Sequence, residues 1–306
     1  MRLQLVSGEY FDIELFCTEG DDCPVTGSWE SIPTADRTSG HTGSAAAMDV
    51  AEAWMEECLS EEEDEFCDAP EEAELPTRVV DVGAEDGSLL GKEQIITTTM
   101  ETYEERKREI KTEELSRTFA DAVEMTRRLG LRYIWIDSLC IIQDDLSDWR
   151  VESAKMCDVY SRAYLTLAAT HSNDGRAGLF RETPDFEVNG TTAEGEEYRI
   201  FFRERVDHHL EESGDDYRAS IGHPTKKHYP ILTRAWVYQE RLLSTRVLHF
   251  GRYELFFECR SEVRCECGGI GWHGSSAAAP TLIPSPQTVG RFFSPAYPKY
   301  HWPSRR

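Results

Sequence analysis

The sequence predicts an α/β fold, and three consecutive segments near its middle carry that prediction. A helical stripe ends at Gly130, a residue type that commonly follows the last turn of a helix. The apolar run Tyr133–Ile136 comes next, as in a buried strand whose carboxyl end delivers the polar residue Asp137. A second helix with Ser147 as its N-cap, which would bury Trp149, and a strand at 164–169 then complete a βαβ unit with a right-handed crossover.

Shorter elements flank this unit on both sides. Each is predicted from residue composition, from apolar periodicity or from turn residues at its ends. The predicted elements are a helix at 48–58, strands at 77–82 and 198–202, a helix at 233–243, and a hairpin of strands 246–250 and 254–259.

The chain is expected to divide into three regions. Residues 1–50 are rich in turn-forming residues and are predicted to be poorly ordered. Residues 51–268 form one domain, which contains an acidic loop at about 56–74. Residues 269–306 turn to Gly, Ser, Ala and Pro and are predicted to form a disordered tail.

Charge and hydropathy limit the partners and the compartment. Lys plus Arg number 33 against 57 Asp plus Glu, and the formal net charge of -24 repels nucleic acids and anionic lipid surfaces. No run approaches the roughly 20 apolar residues that cross a bilayer, and Glu9, Asp12 and Glu14 interrupt the amino-terminal segment where a secretory signal would be apolar. We therefore expect a cytoplasmic protein whose partners are other proteins, with no nucleic acid and no membrane insertion.

The cysteines and histidines do not have the spacing of a metal site. The nine cysteines are an odd number scattered through a long chain, which is typical of reduced thiols. Cys58 and Cys67 are too far apart for the usual knuckle, in which about two to four residues separate the ligands. The histidines at 208–228 lack helical pairing. The densest remaining group, with equally irregular spacing, is Cys259, Cys265, Cys267 and His273. The sequence thus predicts free thiols, no metal and no cofactor.

Several blocks, taken in order, resemble the fungal heterokaryon-incompatibility (HET) family. The segment 132–143 has the sequence Arg-Tyr-Ile-Trp-Ile-Asp-Ser-Leu-Cys-Ile-Ile-Gln, and Val-Tyr-Ser-Arg-Ala-Tyr follows at 159–164. The segment 234–240 contains the pattern Arg-x-Trp-x-x-Gln-Glu. The residues that match the family motifs are Trp135, Asp137, Ser138, Cys140, Gln143, Tyr160, Arg234, Trp236, Gln239 and Glu240.

One family block has no counterpart in this chain. Members normally have a strand ending in Leu-Ser-(His/Tyr)-x-Trp-Gly ahead of the first helix, whereas the stretch from Gly83 to Gly91 lacks the Ser, the aromatic residue and the Trp. The fold implied by the resemblance is a sheet like that of Toll/interleukin-receptor (TIR) domains, with flanking helices and a C-terminal β-hairpin, but with one strand missing. Either the strand is absent and leaves an unpaired sheet edge, or the gene model is imperfect here and in the tail.

The resemblance also implies a candidate for catalysis. Enzymatic TIR-like proteins use a glutamate in a Trp-x-x-x-Glu setting to cleave the nicotinamide–ribose bond of NAD, and Glu240 occupies that position after Trp236. A carboxylate suits the reaction because it stabilises an oxocarbenium-like state. Arg234 or Gln239 would then position phosphate or ribose. The alternative is that Glu240 pairs with Arg234 or Arg241 while Trp236 lies in the core.

Three polar residues after the central strand form a second candidate group. Asp137, Cys140 and Gln143 follow the strand at the point where α/β folds usually build their sites, so Asp137 is a further catalytic candidate. Alternatively, Asp137 caps the next turn, Cys140 packs as a small apolar residue and Gln143 bonds the backbone. Packing is favoured for Cys140, because no histidine lies nearby in sequence to activate a thiolate.

Three hypotheses about function follow from the resemblance. The family acts in self/non-self recognition and programmed cell death. In the first hypothesis the domain works through protein assembly, with self-association as one form of it. In the second it cleaves NAD as its substrate through Glu240. In the third the missing block leaves an inactive remnant.

Overall fold

The computed structural model describes residues 2–4, 10–18, 32–60, 67, 74–83, 96–204, 230–269 and 271–273. Most of the predicted acidic loop, the stretch 84–91 with the missing family block, the histidines at 208–228 and the predicted tail after 273 lie outside the described residues. The described α-helices are α1 (Ala45–Ser60), α2 (Tyr103–Arg106), α3 (Arg117–Arg128), α4 (Asp137–Cys140), α5 (Leu146–Arg162) and α6 (Ala235–Leu243). The described strands are β1 (Arg2–Gln4), β2 (Tyr10–Phe16), β3 (Gly40–His41), β4 (Val80–Asp81), β5 (Tyr133–Ile134), β6 (Thr166–Ala168), β7 (Glu182–Thr183), β8 (Phe186–Thr191), β9 (Glu197–Glu204), β10 (Arg246–Phe250), β11 (Leu255–Cys259), β12 (Glu262–Cys265) and β13 (Gly271–His273).

A five-stranded mixed sheet organises the fold in the order β13-β12-β11-β10-β6. The predicted C-terminal hairpin is confirmed, because β10 and β11 pair antiparallel with Leu248 opposite Phe257. Strand β6 joins the other edge of β10 in parallel, with Leu167 opposite Leu248. The mixed α/β class predicted from the sequence is therefore confirmed.

The two faces of this sheet are covered by different helices. Alternate side chains of β11, among them Phe257 and Cys259, enter a core that also contains residues of α1 and α3. The indole of Trp54 on α1 stacks on Phe257 with ring centroids 6.3 Å apart. Glu258 points to the opposite face, where Arg241 of α6 binds it. Because successive strand residues face opposite sides, β11 contributes to both layers.

A second sheet brings the amino-terminal segment onto the domain. Its order is β1-β2-β9-β8, and β2 pairs antiparallel with β9, in which Leu15 lies opposite Phe202. The strand predicted at 198–202 is thus part of β9. The range 1–50, predicted to be poorly ordered, contributes β1, β2, β3 and the start of α1 to the described structure. The domain boundaries themselves stay a prediction.

The predicted βαβ unit is wrong. Strand β5 pairs antiparallel with β4, whereas β6 pairs with β10, so within the described residues the two strands belong to different sheets. The apolar run is extended for only two residues, Tyr133 and Ile134, before α4 begins at Asp137. Tyr133 is 40% exposed, since it lies at the surface beneath the guanidinium of Arg132 rather than in a buried strand.

Helix boundaries near the centre were predicted with mixed success. Helix α3 ends beside Gly130, which has a φ of 69° as expected for a residue after a helix end. Helix α5 begins two residues earlier than predicted, because Asp145 and not Ser147 is its N-cap. The Asp145 carboxylate accepts a hydrogen bond of 2.8 Å from the Ser147 backbone N–H. Trp149, expected to be buried, is 37% exposed.

None of the described helices is both long enough and apolar enough to cross a membrane.

Candidate functional site

Helices α5 and α6 bring together four residues of the predicted site. Helix α6 places Glu240 within hydrogen-bonding reach of the Tyr160 hydroxyl, which belongs to the last turn of α5. Asp137, at the start of α4, and Arg234, just before α6, both lie near enough to act on the Glu240 carboxylate electrostatically. Four residues from three distant parts of the chain therefore form one polar cluster, called here the Glu240 cluster.

Two carboxylates with one nearby cation perturb the titration of this cluster. Burial, and after it the Asp137 carboxylate, raise the pKa of Glu240, whereas the hydrogen bond from Tyr160 and the Arg234 guanidinium act in the lowering direction. Burial and the Glu240 and Asp137 carboxylates also raise the pKa of Tyr160, which therefore keeps its proton and acts as a donor. Glu240 is half-buried, so it remains open to solvent on one side.

Neighbouring residues hold this cluster in place. The indole of Trp135 contacts the Tyr160 ring edge-on, with centroids 6.0 Å apart and planes inclined by 75°. The Asp137 carboxylate accepts a 2.6 Å hydrogen bond from the Ser138 backbone N–H while remaining exposed. Asp137 thus bonds the backbone of its own turn and lies near enough to Glu240 to act on it electrostatically.

The remaining motif residues have mainly structural contacts. The Gln143 amide donates to the backbone carbonyls of Asp137 at 3.2 Å and of Ile141 at 3.0 Å. Cys140 is buried, and burial raises the pKa of its thiol to about 11, so the thiolate needed for nucleophilic chemistry is disfavoured. The Ser138 backbone N–H serves Asp137, and Gln239 is exposed on α6.

The alternative in which Trp236 lies in the core is wrong, because its side chain is 60% exposed. Arg241, one of the expected partners of Glu240, binds Glu258 with two hydrogen bonds. Arg234 donates to the backbone carbonyl of Asn173 at 3.0 Å in addition to facing Glu240. The sequence-derived pairing with Arg234 is therefore partly realised, as a neighbouring charge.

A buried polar chain behind α6 was missed by sequence analysis. His249 Nδ1 lies 2.9 Å from Thr170 Oγ1, and His249 Nε2 lies 3.2 Å from Glu258 Oε2. The order of hydroxyl, imidazole and carboxylate resembles a hydrolytic triad, but Thr170 and His249 are fully buried and closed to substrate. The alternation of side chains along β10 and β11 could have placed His249 and Glu258 on one face.

The structure groups the cysteines differently from the sequence-based interpretation. Cys259 had been grouped with Cys265 and Cys267, yet it lies on the opposite face of β11 among the residues that pack against α1. There its sulfur lies within 4.8 Å of the sulfurs of both Cys58 and Cys67. Spacing along the chain gave no signal for this group, because the contact between Cys58 and Cys259 is made only in the folded state.

A shallow cleft lies elsewhere, between β9 and the β10–β11 loop. Its volume is about 270 Å³, and it is lined by residues that include Arg181, Phe202 and Tyr253. None of the predicted site residues lines it. The cleft therefore does not explain the family motifs.

The fold and the cluster define a mixed α/β domain with a carboxylate-rich surface site. Residues 90–240 match the model of the family described as heterokaryon incompatibility protein (HET). Over this range the chain therefore matches the heterokaryon-incompatibility family, and the range ends on Glu240. No curated protein and no solved structure matches the chain.

Proposed function

We propose that this chain acts in fungal self/non-self recognition as an effector of programmed cell death, with the Glu240 cluster as its working site. The family match over residues 90–240 supports the biological role. None of the eight described cysteines is in a disulfide bond, which supports action in the reducing cytoplasm. The meeting of Glu240 with Asp137 supports the choice of site.

The juxtaposition of two carboxylates is the observation on which the proposal rests. Partial burial and the nearby Asp137 carboxylate both oppose ionisation of Glu240. The repulsion between the two carboxylates does not stabilise the folded state. Such arrangements are common where a carboxylate is needed for chemistry. Tyr160 and Arg234 offset part of the cost, so the cluster keeps a carboxylate that is ionisable and reachable from solvent.

The chemistry best suited to the cluster is hydrolysis of NAD. The bond between ribose C1′ and the nicotinamide nitrogen breaks, and its electron pair neutralises the positive charge of that ring. The ionised Glu240 stabilises the positive charge that develops on the ribose, and water adds to C1′ and releases a proton. The products are nicotinamide, ADP-ribose and a proton. Arg234 would attract the pyrophosphate, and the exposed indole of Trp236 offers a surface on which a base can stack.

The direct test measures nicotinamide release from NAD by the purified full chain. We expect Glu240→Gln to lower the rate by about 100-fold or more, because the developing charge loses its partner. Glu194→Gln is the matched control, since Glu194 lies exposed in the turn between β8 and β9. Wild-type protein that leaves NAD intact, or a Glu240→Gln variant as active as the control, would refute the enzymatic part.

Exposed apolar side chains favour a second candidate, which is action through protein assembly. Leu146 and Val151 on α5, and Trp236 and Tyr238 on α6, are all exposed although the two helices pack together. If Trp236→Ala abolishes both cell death and concentration-dependent sedimentation while Glu240→Gln leaves cell death intact, assembly is the mechanism. An expanded, easily proteolysed wild-type chain would instead support the inactive-remnant hypothesis.

A further inference from the structure

Three cysteines from separate parts of the chain meet beneath the central sheet. Cys58 lies in the last turn of α1, Cys67 follows that helix, and Cys259 ends β11. Their sulfur atoms all lie within 4.8 Å of one another. The three cysteines are 5%, 1% and 4% exposed, respectively, so the thiol cluster is buried.

We propose that Cys58, Cys67 and Cys259 bind one Zn²⁺ ion as thiolates, with water as the fourth ligand. A tetrahedral ion with Zn–S bonds of about 2.3 Å requires sulfur atoms roughly 3.8 Å apart. The observed separations, none above 4.8 Å, need only a small contraction to reach that geometry. Zinc prefers such soft ligands, and a three-cysteine set is well suited to it.

Ser261 completes the surroundings of the site. Its hydroxyl lies 3.3 Å from the sulfur of Cys67 and 3.3 Å from that of Cys259. Ser261 is partly exposed, so water can reach the fourth position beside it.

A buried cation beside the thiol cluster is an independent observation that points to a bound anionic complex. Arg246 is 1% exposed, and among the described residues its guanidinium donates only to the backbone carbonyls of Tyr164 and Cys67. Its Nε has no hydrogen-bond partner, and no described carboxylate pairs with it. Arg246 lies directly opposite Cys259 in the β10–β11 ladder, so the two side chains are neighbours on one face.

Charge balance links Arg246 to the proposed ion. A buried guanidinium is costly without a compensating negative charge. Three neutral thiols would leave Arg246 uncompensated, whereas three thiolates around Zn²⁺ carry a net charge of minus one. The Zn²⁺ complex and Arg246 together are neutral, and the ion would fasten α1 and Cys67 to β11.

The first measurement is metal content of the full chain, purified with a thiol reductant and without chelators. We expect about one zinc per chain. Replacement of zinc by Co²⁺ should give the intense near-ultraviolet thiolate charge-transfer band and the visible bands of a tetrahedral site. Chelator should lower the midpoint of thermal unfolding, because the ion stabilises only the folded state.

Single substitutions separate this site from the other buried cysteines. Cys58→Ser and Cys259→Ser should lose most of the bound zinc, whereas Cys265→Ser should retain it. Cys265 is the matched control, because it is also buried and also lies near a second thiol, at 3.4 Å from Cys267. Equal zinc loss in all three variants would place the metal elsewhere and overturn the proposal.

The Co²⁺ spectrum of the wild-type chain keeps the test decisive even if a variant fails to fold. Wild-type protein that carries no zinc and gives no thiolate band with Co²⁺ would refute the proposal. So would a disulfide that links two of these three cysteines, located by peptide mapping of the non-reduced protein. These readouts do not depend on NAD cleavage, so the metal site and the Glu240 hypothesis can fail separately.

Discussion

Arg241 binds Glu258 with two parallel hydrogen bonds, 2.5 Å from Nε to Oε2 and 3.0 Å from Nη2 to Oε1. Both side chains are largely buried, and the contact joins α6 to β11. Glu240 precedes Arg241 in α6, so the same pair fixes where Glu240 meets Tyr160. The carboxylate site thus depends on a structural ion pair that does not belong to it.

Loss of this ion pair should strongly destabilise the folded state. We expect Arg241→Met to lower the free energy of unfolding by roughly 3–5 kcal/mol, because it leaves the Glu258 carboxylate buried without its cation. Arg176→Met is the control, since the Arg176–Asp174 pair is exposed and its loss should change the stability far less. Urea denaturation of both variants checks the prediction, and equal losses would contradict it.

Stability should decline in acid in two stages. Burial lowers the pKa of His249 below its usual 6.5, so the unfolded chain takes up a proton that the folded chain refuses, and stability falls as the pH drops below 6.5. Burial acts to raise the pKa of Glu258, but Arg241 and His249 outweigh it and hold this pKa at about 2 against its usual 4.5. Further stability is therefore lost as the pH falls from 4.5 towards 2. Unfolding midpoints measured across this range test both stages.

One variant tests whether His249 causes the loss of stability that begins below pH 6.5. His249→Gln should reduce the slope between pH 6.5 and 4.5 without removing it. Some slope remains because burial also lowers the pKa of His171. A variant with the wild-type slope would show that His249 does not titrate as proposed.

Two neighbours of Glu240 should move its pKa in opposite directions. Asp137→Asn removes a repelling charge and should lower the pKa of Glu240, whereas Tyr160→Phe removes a hydrogen bond to the carboxylate and should raise it. Carbon NMR titration of the glutamate carboxyl groups measures both shifts, with the resonance assigned by its loss in Glu240→Gln. Shifts of the same sign would show that the four residues do not form one cluster.

The loop before β7 should not tolerate a side chain at Gly178. Gly178 has a φ of 81°, and a Cβ there would lie 2.4 Å from the carboxylate of Asp121, which holds the Leu179 backbone N–H at 2.8 Å. Gly195→Ala is the control, because Gly195 has a similar φ of 89° but open space around it. Both variants incur backbone strain of about 1–3 kcal/mol, and Gly178→Ala should be the less stable because it also displaces Asp121. Thermal unfolding of the pair checks this difference.

The sequence predicted local features better than long-range ones. Helix α3, its end at Gly130 and the β10–β11 hairpin follow from periodicity and turn residues, which act over a few neighbours. The prediction of a βαβ unit was wrong because strand pairing depends on residues that are distant in sequence. Strand β6 pairs with β10 and not with β5.

Site prediction shows the same division. Motif resemblance named Tyr160 and Glu240, but only the packing of α5 on α6 brings them together. Sequence analysis missed the thiol cluster because Cys58 and Cys259 are 201 positions apart in the chain. No local spacing pattern indicates a contact between them.

Strand β11 cannot slip along its neighbours without damage to both sides of the sheet. A shift of one residue would turn the Glu258 carboxylate into the apolar layer beneath α1 and point the Cys259 sulfur towards Arg241. The apolar core on one face and the Arg241–Glu258 ion pair on the other face therefore both disfavour the same shifted register. Both α1 and α6 can therefore dock on the sheet only when the hairpin is in its native register.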